Sequence, residues 1–240
     1  MRYEGVGAVL AGHGIKLANE DLERAYEQSA TKLQNVWNKN EEVPIMDQIQ
    51  LLIQLAGGRQ IVLDQSWLQL IEDAYVNPIL TIPPKLNQDA PAVLRAVRDR
   101  GYKIGLISNT GRSPGDALRK LLDGYSVLKF FDVTVFSNEV GRRKPDRTIF
   151  EYTAHLLGAE NDDIIHVGDS PQADFWGARN AGMRAILLNQ TWPGSSRWGP
   201  HSLYALARAN MKKSPAEIEP HLQMNSLTET LDLVDSLFAA

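Results

Sequence analysis

No cysteine occurs among the 240 residues of the sequence. This absence excludes disulfide bonds, thiolate metal sites and a cysteine nucleophile. The sequence also has no uncharged apolar run that approaches about 18 residues, the length expected of a membrane-spanning helix. Its first residues, Met1-Arg2-Tyr3-Glu4, lack the apolar stretch of a signal peptide. These features predict a cytoplasmic protein without a membrane partner.

A strong net charge is missing as well. The 25 basic and 29 acidic side chains give a formal net charge of −4. This balance predicts that nucleic acid is not a partner, although a local basic cluster can still bind a small anionic substrate. Hydrophobic residues make up 43% of the sequence and charged residues 22%, which is ordinary for a globular protein. The length allows one large domain, or a core with a smaller second domain.

The first 80 or so residues show the periodicity of amphipathic helices. Apolar residues recur at spacings of three and four from Leu22 to Trp37 and again from Met46 to Leu55. Asn19 and Asp64 are each placed to act as a helix N-cap. We find no convincing strand here, so the sequence predicts an all-helical segment over residues 1–83.

From residue 84 onward, short apolar strands alternate with helices. The predicted strands cover residues 103–108, 133–136, 164–167 and 184–188, with a short one at 222–225 before a capping box at Ser226 and Glu229. Strands separated by helices of this length indicate parallel pairing with right-handed crossovers. Residues 84–240 are therefore predicted to form a doubly wound α/β core.

Two loops beside the predicted strands carry groups suited to phosphate. Ser108-Asn109-Thr110 directly follows the first strand and offers a hydroxyl and backbone N–H groups to a phosphoryl oxygen. Lys144, fixed by the proline that follows it, can neutralise a phosphate. Both patterns also have plain structural readings, a capped turn and a solvated basic loop.

A third loop carries two carboxylates. Asp169 follows the strand at 164–167, and Asp174 lies five residues further on, where a helix begins. Carboxylate oxygens are ligands that Mg²⁺ prefers. The plain reading, a turn residue and a first-turn acid, is less favoured here, so the pair predicts a magnesium site.

These loops together resemble motifs of the haloacid dehalogenase superfamily. Ile107-Ser108-Asn109, Lys144-Pro145-Asp146 and the segment from Val167 to Gly182 resemble the second, third and fourth motifs, in the family's order. The similarity covers about residues 86–190, and residues 1–80 resemble the inserted helical cap.

The resemblance implies roles for individual residues. Ser108 would hydrogen-bond the transferring phosphoryl group, Lys144 would offset negative charge around the nucleophile and phosphate, and Asp169 with Asp174 would hold Mg²⁺. The acidic pair favours phosphate chemistry over dehalogenation, because the family's carbon–halogen dehalogenases do not use Mg²⁺.

The family's first motif is absent from the sequence. It is an apolar strand ending in Asp-x-Asp, whose first Asp attacks phosphorus while the second acts as general acid and base. No Asp-x-Asp occurs, and the nearest similar stretch, Ile61 to Ser66, contains the predicted N-cap Asp64. The missing strand is the family's central one, so the strands at 103–107 and 164–167 would each lose one neighbour and leave a row of backbone groups in need of partners.

Three arrangements would repair this gap. The two strands could pair directly, Val6–Leu10 could insert as a strand, or a second chain could cover the edges as a homodimer. We favour the homodimer.

The leading hypothesis is a truncated, divalent-metal-dependent hydrolase of phosphate esters of small molecules. Its predicted catalytic residues are Ser108, Lys144 and Asp169. One alternative uses a metal-bound water to hydrolyse phosphodiesters or phosphotriesters. The other is a non-catalytic protein with this fold, used for binding or assembly.

Overall fold

The N-terminal part of the chain is helical, as its periodicity predicts. The computed structural model describes residues 1–58, 61, 64–189, 219 and 222–238. None of the helices in these ranges has the length and apolar character needed to cross a membrane. The elements before residue 83 are α1 (Arg2–Gly12), α2 (Asn19–Trp37), α3 (Ile45–Leu55), a 3₁₀ turn (Gln65–Trp67), α4 (Leu68–Val76) and α5 (Pro78–Thr81).

These helices share an apolar core. Val6 and Leu10 of α1, Leu22 of α2, Ile49 of α3 and Ile71 of α4 all belong to it and are fully buried. Burial of each such side chain contributes about 1.5–3 kcal/mol relative to its exposure. The segment therefore has a core of its own, although the boundary at residue 83 remains a prediction.

One of the two predicted N-caps is confirmed. The carboxylate of Asp64 accepts a hydrogen bond of 2.8 Å from the backbone N–H of Ser66. The prediction for Asn19 is wrong, because Ala18 occupies the N-cap of α2 and Asn19 is the first helical residue. Two acidic residues in the first turn of α2 instead interact favourably with the helix dipole.

The second part of the chain alternates strands and helices, as predicted. Its capping box at Ser226 and Glu229 is present and precedes the final helix. The elements are α6 (Ala90–Asp99), β1 (Gly105–Ser108), α7 (Gly115–Gly124), β2 (Val133–Phe136), α8 (Ser137–Val140), α9 (Arg147–Leu157), β3 (Ile165–Gly168), a π-helical turn (Pro171–Trp176), α10 (Gly177–Asn180), β4 (Arg184–Leu188), β5 (Gln223–Met224) and α11 (Thr230–Phe238).

Strand pairing is parallel throughout the described strands. β1 pairs with β2 in the register Gly105↔Val133, and β3 pairs with β4 in the register Ile165↔Arg184. β5 adds to the other side of β4. Side chains of β4 alternate between two faces: Ala185 packs with the cluster that includes α9 and α10, whereas Ile186 packs towards α11. Helices therefore pack on both faces of this sheet, as in a doubly wound fold.

The strands form two sheets, and β1 and β3 do not pair within the described residues. Direct pairing of these strands was one expected repair, and it is wrong. Insertion of Val6–Leu10 is also wrong, because these residues belong to α1. Among the described residues, no strand therefore occupies the place expected for the central strand between β1 and β3. Cover by a homodimer remains a prediction.

Candidate functional site

The loop after β1 and the loop before α9 are joined through Asn109 and Lys144. The backbone N–H of Lys144 donates to Asn109 Oδ1 at 2.7 Å, and Asn109 Nδ2 donates to the Lys144 carbonyl at 2.9 Å. These two hydrogen bonds use both the oxygen and the nitrogen of the Asn109 side-chain amide. Asn109, predicted to bind phosphate, therefore positions the lysine main chain in this structure.

The Lys144 side chain lies at the carboxyl end of β1. Its Nζ donates to the carbonyl of Ile107 at 2.8 Å and to Asp174 Oδ1 at 2.5 Å. The two charged side chains are 11% and 7% exposed, so the ion pair is buried. A buried pair of this kind is sensitive to the loss of either member, because the other charge is then left uncompensated.

Asp174 has further partners. Its Oδ1 also contacts His166 Nε2 at 3.0 Å, and its Oδ2 accepts from the backbone N–H of Ser170 at 3.0 Å. Burial alone would raise the pKa of the Asp174 carboxyl, but the Lys144 ammonium and the His166 hydrogen bond outweigh it and hold that pKa below its ordinary value. Burial lowers the pKa of His166 in spite of Asp174. Asp174 is thus the residue that joins Lys144 and His166 in one buried cluster.

Sequence reasoning missed His166. The residue lies inside a predicted apolar strand, and a polar side chain between Ile165 and Val167 was the available signal. A buried polar group needs a hydrogen-bond partner, which Asp174 provides.

Local backbone structure places Asp174 in this cluster. The N–H of Phe175 donates to the Ser170 carbonyl at 3.1 Å, five residues back, as in a π-helical turn, and the N–H of Asp174 donates to the same carbonyl at 2.9 Å. Ser170 Oγ accepts from the N–H of Ala173 at 3.0 Å and caps the turn. A Cβ on Gly168 would collide with the Asp174 side chain. The glycine at 168 therefore leaves space for the carboxylate.

Ser108 and Asp169 lie next to these contacts in the chain. Ser108 is the last residue of β1, directly after Ile107, and is half-buried. Asp169 is exposed and lies one residue before Ser170. The structure therefore joins Lys144 to both Asn109 and Asp174. Ser108 and Asp169 adjoin these contacts in the chain, and their shared site remains a prediction.

Thr110 is turned into the protein. It is buried, its N–H donates to Ser137 Oγ at 2.8 Å, and its hydroxyl lies 3.2 Å from the same oxygen. The N–H and the hydroxyl of Thr110, which were predicted to bind phosphate, are therefore engaged with Ser137. Thr110 instead fixes the loop against α8.

Two buried arginines link the core to the helical segment, and neither was predicted to do so. Arg143 Nη1 donates to Glu42 Oε1 and to the Thr110 carbonyl, both at 2.5 Å, and the guanidinium lies 4.6 Å from the Trp37 ring centroid. Since Arg143 is only 8% exposed, the reading of this loop as solvated is wrong at that residue.

Arg112 makes the second link. Its guanidinium donates to the Tyr75 hydroxyl at 2.6 Å and to Ser29 Oγ at 2.8 Å. It also lies 3.9 Å from the Tyr26 ring centroid, within range of a cation–π interaction. The α2 and α4 helices therefore contact the loop that follows β1.

The arrangement of Asp174 does not fit a magnesium ligand. Lys144, His166 and the Ser170 N–H occupy its two oxygens, so Mg²⁺ would have to displace the lysine ammonium. Throughout the described residues, no three His, Cys, Asp or Glu side chains are grouped closely enough to hold a metal. We therefore assign no step to a metal, and the roles of Asp169 and Asp174 as ligands remain predictions.

Comparison with known proteins identifies the family. The family model described as haloacid dehalogenase-like hydrolase matches residues 7–182. The chain therefore belongs to the haloacid dehalogenase-like hydrolase family. This finding confirms the resemblance carried by the three loop motifs.

Curated relatives include several phosphatases. The chain is 34% identical over 105 residues to phosphoserine phosphatase of Thermus thermophilus, covering 44% of this chain and 41% of the relative. It is 33% identical over 145 residues to pyrimidine 5'-nucleotidase YjjG of Escherichia coli, covering 57% and 60%. A third relative, haloacid dehalogenase-like hydrolase domain-containing protein 3 of Bos taurus, is 31% identical over 150 residues, covering 55% and 58%. The chain thus spans about half the length of these relatives.

Solved structures confirm the fold. The crystal structure of a HAD phosphatase from Thermococcus onnurineus has a TM-score of 0.62 at 18% identity, covering 97% of this chain and 87% of that one. That of a 2-haloacid dehalogenase from Pseudomonas syringae has a TM-score of 0.59 at 16% identity, covering 98% and 91%. At these identities the likeness concerns the fold alone.

Proposed function

We propose that the chain hydrolyses phosphate esters of small molecules, with the phosphoryl group held at the carboxyl edge of β1. The observation that carries this proposal is the position of the Lys144 ammonium, fixed there by the Ile107 carbonyl and by the Asn109 bonds. A fixed cation beside a strand-end hydroxyl can neutralise and orient a phosphoryl oxygen. The family and the phosphatase relatives support the same class of substrate.

In this proposal Ser108 donates its hydroxyl to a phosphoryl oxygen, and Lys144 offsets the phosphate charge. Asp174 holds the ammonium in place and shares it with the substrate. Asp169, exposed at the same edge, is the predicted third catalytic residue. The sequence contains no Asp-x-Asp, so the family's aspartyl-phosphate route cannot be assigned to residues of this chain.

Hydrolysis of a panel of phosphomonoesters, including phosphoserine and pyrimidine 5'-nucleotides, tests the proposal. We expect Ser108→Ala to lower kcat/KM by about 10²-fold, because it removes one donor to the phosphoryl group. The matched control is Ser236→Ala, on the exposed side of α11, which should leave the rate unchanged. Equal rates for the Ser108→Ala variant and the parent would contradict the assignment.

The same assay tests the predicted magnesium requirement. Activity that rises with added Mg²⁺ and is lost in Asp169→Asn would support Asp169 as a ligand. Activity unchanged by Mg²⁺ and by a chelator would agree with the lysine-bound state of Asp174.

A second candidate function is binding of phosphorylated small molecules without turnover. It is favoured by the ion pair that Asp174 forms with Lys144, which leaves the carboxylate engaged within the protein. Phosphorus NMR with pyrimidine 5'-nucleotides distinguishes the two. Broadened or shifted ester signals without release of inorganic phosphate would favour binding alone.

A further inference from the structure

Three side chains meet where the helical segment contacts the two loops of the candidate site. Glu42 lies in the loop between α2 and α3, Arg143 directly precedes Lys144, and Thr110 lies in the loop after β1. Arg143 Nη1 donates to Glu42 Oε1 and to the Thr110 carbonyl, both at 2.5 Å. The Thr110 hydroxyl also donates to Glu42 Oε1, at 3.4 Å. One carboxylate from the helical segment is therefore bonded to both loops of the core.

The Glu42 carboxylate is buried and engaged on both of its oxygens. The side chains of Arg143 and Glu42 are 10% and 7% exposed. The second oxygen of the carboxylate accepts from the backbone N–H of Val43 at 3.3 Å. A buried ion pair of this kind is sensitive to the loss of either member. Because its oxygens already have partners within the protein, Glu42 would influence a bound ligand through the residues that it holds.

Backbone contacts bring the loop of Glu42 beside the loop of Lys144. Asn40 has a φ of 63°, a left-handed conformation that asparagine adopts more readily than most residues. Its carbonyl accepts from the backbone N–H of Arg143 at 3.3 Å. The next residue, Glu41, forms an antiparallel bridge with Arg142. The loop after α2 therefore runs alongside the loop before α9, and Glu42 follows directly from this pairing.

An aromatic ring holds the Arg143 guanidinium from a further side. Its carbon lies 4.6 Å from the centroid of the Trp37 ring, within range of a cation–π interaction. Trp37 is the last residue of α2 and is buried. The ring contact and the two hydrogen bonds together fix the guanidinium, and the main chain continues from Arg143 directly into Lys144.

Other polar contacts from the helical segment reach a single loop. Gln48 Nε2 donates to the Gly111 carbonyl at 3.2 Å, and Ser29 Oγ accepts from Arg112 at 2.8 Å. Both of these contacts concern the loop after β1. Glu42 differs from them because its partners lie in both loops, so its loss would disturb the two loops together.

We propose that Glu42 is a positioning residue for the phosphoryl group: it sets the place of Lys144 through Arg143, and that of the loop after Ser108 through Thr110. This inference rests on the proposed function, in which Ser108 and Lys144 bind the phosphoryl group. A displacement of about 1 Å in such a group can lower a rate by about 10²-fold. The Arg143 guanidinium neutralises the carboxylate, which limits its repulsion of a phosphate.

Titration of the full chain with inorganic phosphate, followed by phosphorus NMR, tests the proposal through the sign of an effect. We expect Glu42→Gln to weaken phosphate binding by about tenfold, because the loops that carry Ser108 and Lys144 lose their shared partner. A carboxylate that acted by its charge alone would give the opposite result, since its removal would favour an anion. Glu41→Gln makes the same chemical change at the exposed neighbouring position and should bind phosphate like the parent.

The ammonium signal of Lys144 gives a second readout that needs no ligand. This ammonium is buried and hydrogen-bonded, so its protons should exchange slowly enough for a proton–nitrogen correlation spectrum, and its loss in Lys144→Arg assigns the signal. The signal should shift in Glu42→Gln and keep its position in Glu41→Gln. It should also keep its position in Ser29→Ala, which removes a bond to Arg112 elsewhere in the same interface.

A double variant tests whether Glu42 acts through Arg143. If it does, adding Glu42→Gln to Arg143→Gln should change the Lys144 signal and the phosphate affinity little further. Circular dichroism verifies that each variant is folded. Glu42→Asp keeps the charge and shortens the side chain by one methylene, so it provides the same comparison with a milder change if Glu42→Gln does not fold.

The possible outcomes separate this proposal from the proposed function. Equal or tighter phosphate binding by Glu42→Gln would overturn the positioning role while phosphate binding by the parent stands. An unchanged Lys144 signal in Glu42→Gln, or an equal shift in Ser29→Ala, would also overturn it. A parent that neither binds phosphate nor hydrolyses its esters would contradict the proposed function instead, and a Lys144 shift confined to the Glu42 variants would still support the positioning of the lysine.

Discussion

Lys144 and Asp174 form a buried ion pair, with 2.5 Å between Nζ and Oδ1, at the carboxyl end of the gap between two sheets. Thirty residues separate them in the sequence. The ammonium also binds the Ile107 carbonyl of β1, and the carboxylate binds His166 of β3. This pair therefore connects the two sheets, which share no backbone ladder in the part of the chain that the structure describes.

Removal of one charge from this pair should be costly. We expect Lys144→Met to lower the free energy of unfolding by about 3–5 kcal/mol, because the Asp174 carboxylate would remain buried without its partner. The double variant Lys144→Met, Asp174→Asn should lose less than the two single variants together. Urea unfolding measures all three.

The exposed pair Arg147–Glu151 is the control, with the same 2.5 Å separation. Arg147→Met should change the free energy of unfolding by less than about 0.5 kcal/mol, since solvent screens exposed pairs. Similar losses for Lys144→Met and Arg147→Met would mean that burial does not set the strength of the Lys144 pair.

Much of the fold could be predicted because its signals are local. Apolar periodicity predicted the helices and the short strands, and the N-cap at Asp64 and the capping box at Ser226 marked helix starts. The separation into two sheets could not be read from any one strand, because β1 and β3 each have the composition of a paired strand. Whether a strand is paired on a given side depends on the strand that lies beside it, and not on its own sequence.

The candidate site could be predicted only in part. Ser108 ends β1 and Asp169 directly follows β3, and polar residues at such strand ends are the usual signal for a ligand site. Lys144 lies before α9, where its basic loop was the signal. The bonds from Asn109 to Lys144, from Thr110 to Ser137 and from Lys144 to Asp174 could not be foreseen, because their partners are 35, 27 and 30 residues apart in the sequence. Arg143 shows the same limit: its residue type indicates a solvated loop, whereas contacts with Glu42 and Trp37 bury it.

The glycine at position 168 should be sensitive to substitution. Gly168→Ala would place a Cβ against the Asp174 side chain and should displace the carboxylate from Lys144, with a loss of about 1–3 kcal/mol as in other overpacked sites. Gly124→Ala is the control. A Cβ there meets nothing within 4 Å, so that variant should be neutral or gain up to about 1 kcal/mol through helix propensity. A Gly168→Ala protein as stable as the parent would show that the turn adapts freely.

Asp132 should make stability depend on acid pH. Its carboxylate accepts two hydrogen bonds of 2.6 Å from Arg98 and one of 2.8 Å from the Ile104 N–H. The Arg98 hydrogen bond first, and the Ile104 bond second, lower the pKa of Asp132. A lowered pKa stabilises the fold above the ordinary carboxyl pKa of about 3.9, and this contribution is lost as the pH falls through the folded-state value.

The difference in free energy of unfolding between the parent and Asp132→Asn should therefore be largest at neutral pH and shrink below about pH 4. Urea unfolding at a series of pH values measures it. Asp123→Asn, at an exposed position of α7, should differ little from the parent at any of these pH values. If this difference instead grew as the pH fell, the contacts of Asp132 with Arg98 and Ile104 would not explain the pH dependence.

Arg112 should be the main polar anchor between the helical segment and the core. Arg112→Ala removes bonds to Tyr75 and Ser29 as well as the contact with the Tyr26 ring, and we expect a loss of about 3 kcal/mol or more. Arg112→Lys should recover little, because an ammonium cannot reproduce the planar fork of donors. Arg24→Ala, at an exposed site of α2, is the control and should cost less than about 0.5 kcal/mol. Limited proteolysis should cut Arg112→Ala faster around α2 and α4, and a digestion pattern equal to the parent's would show that apolar contacts alone hold these helices to the core.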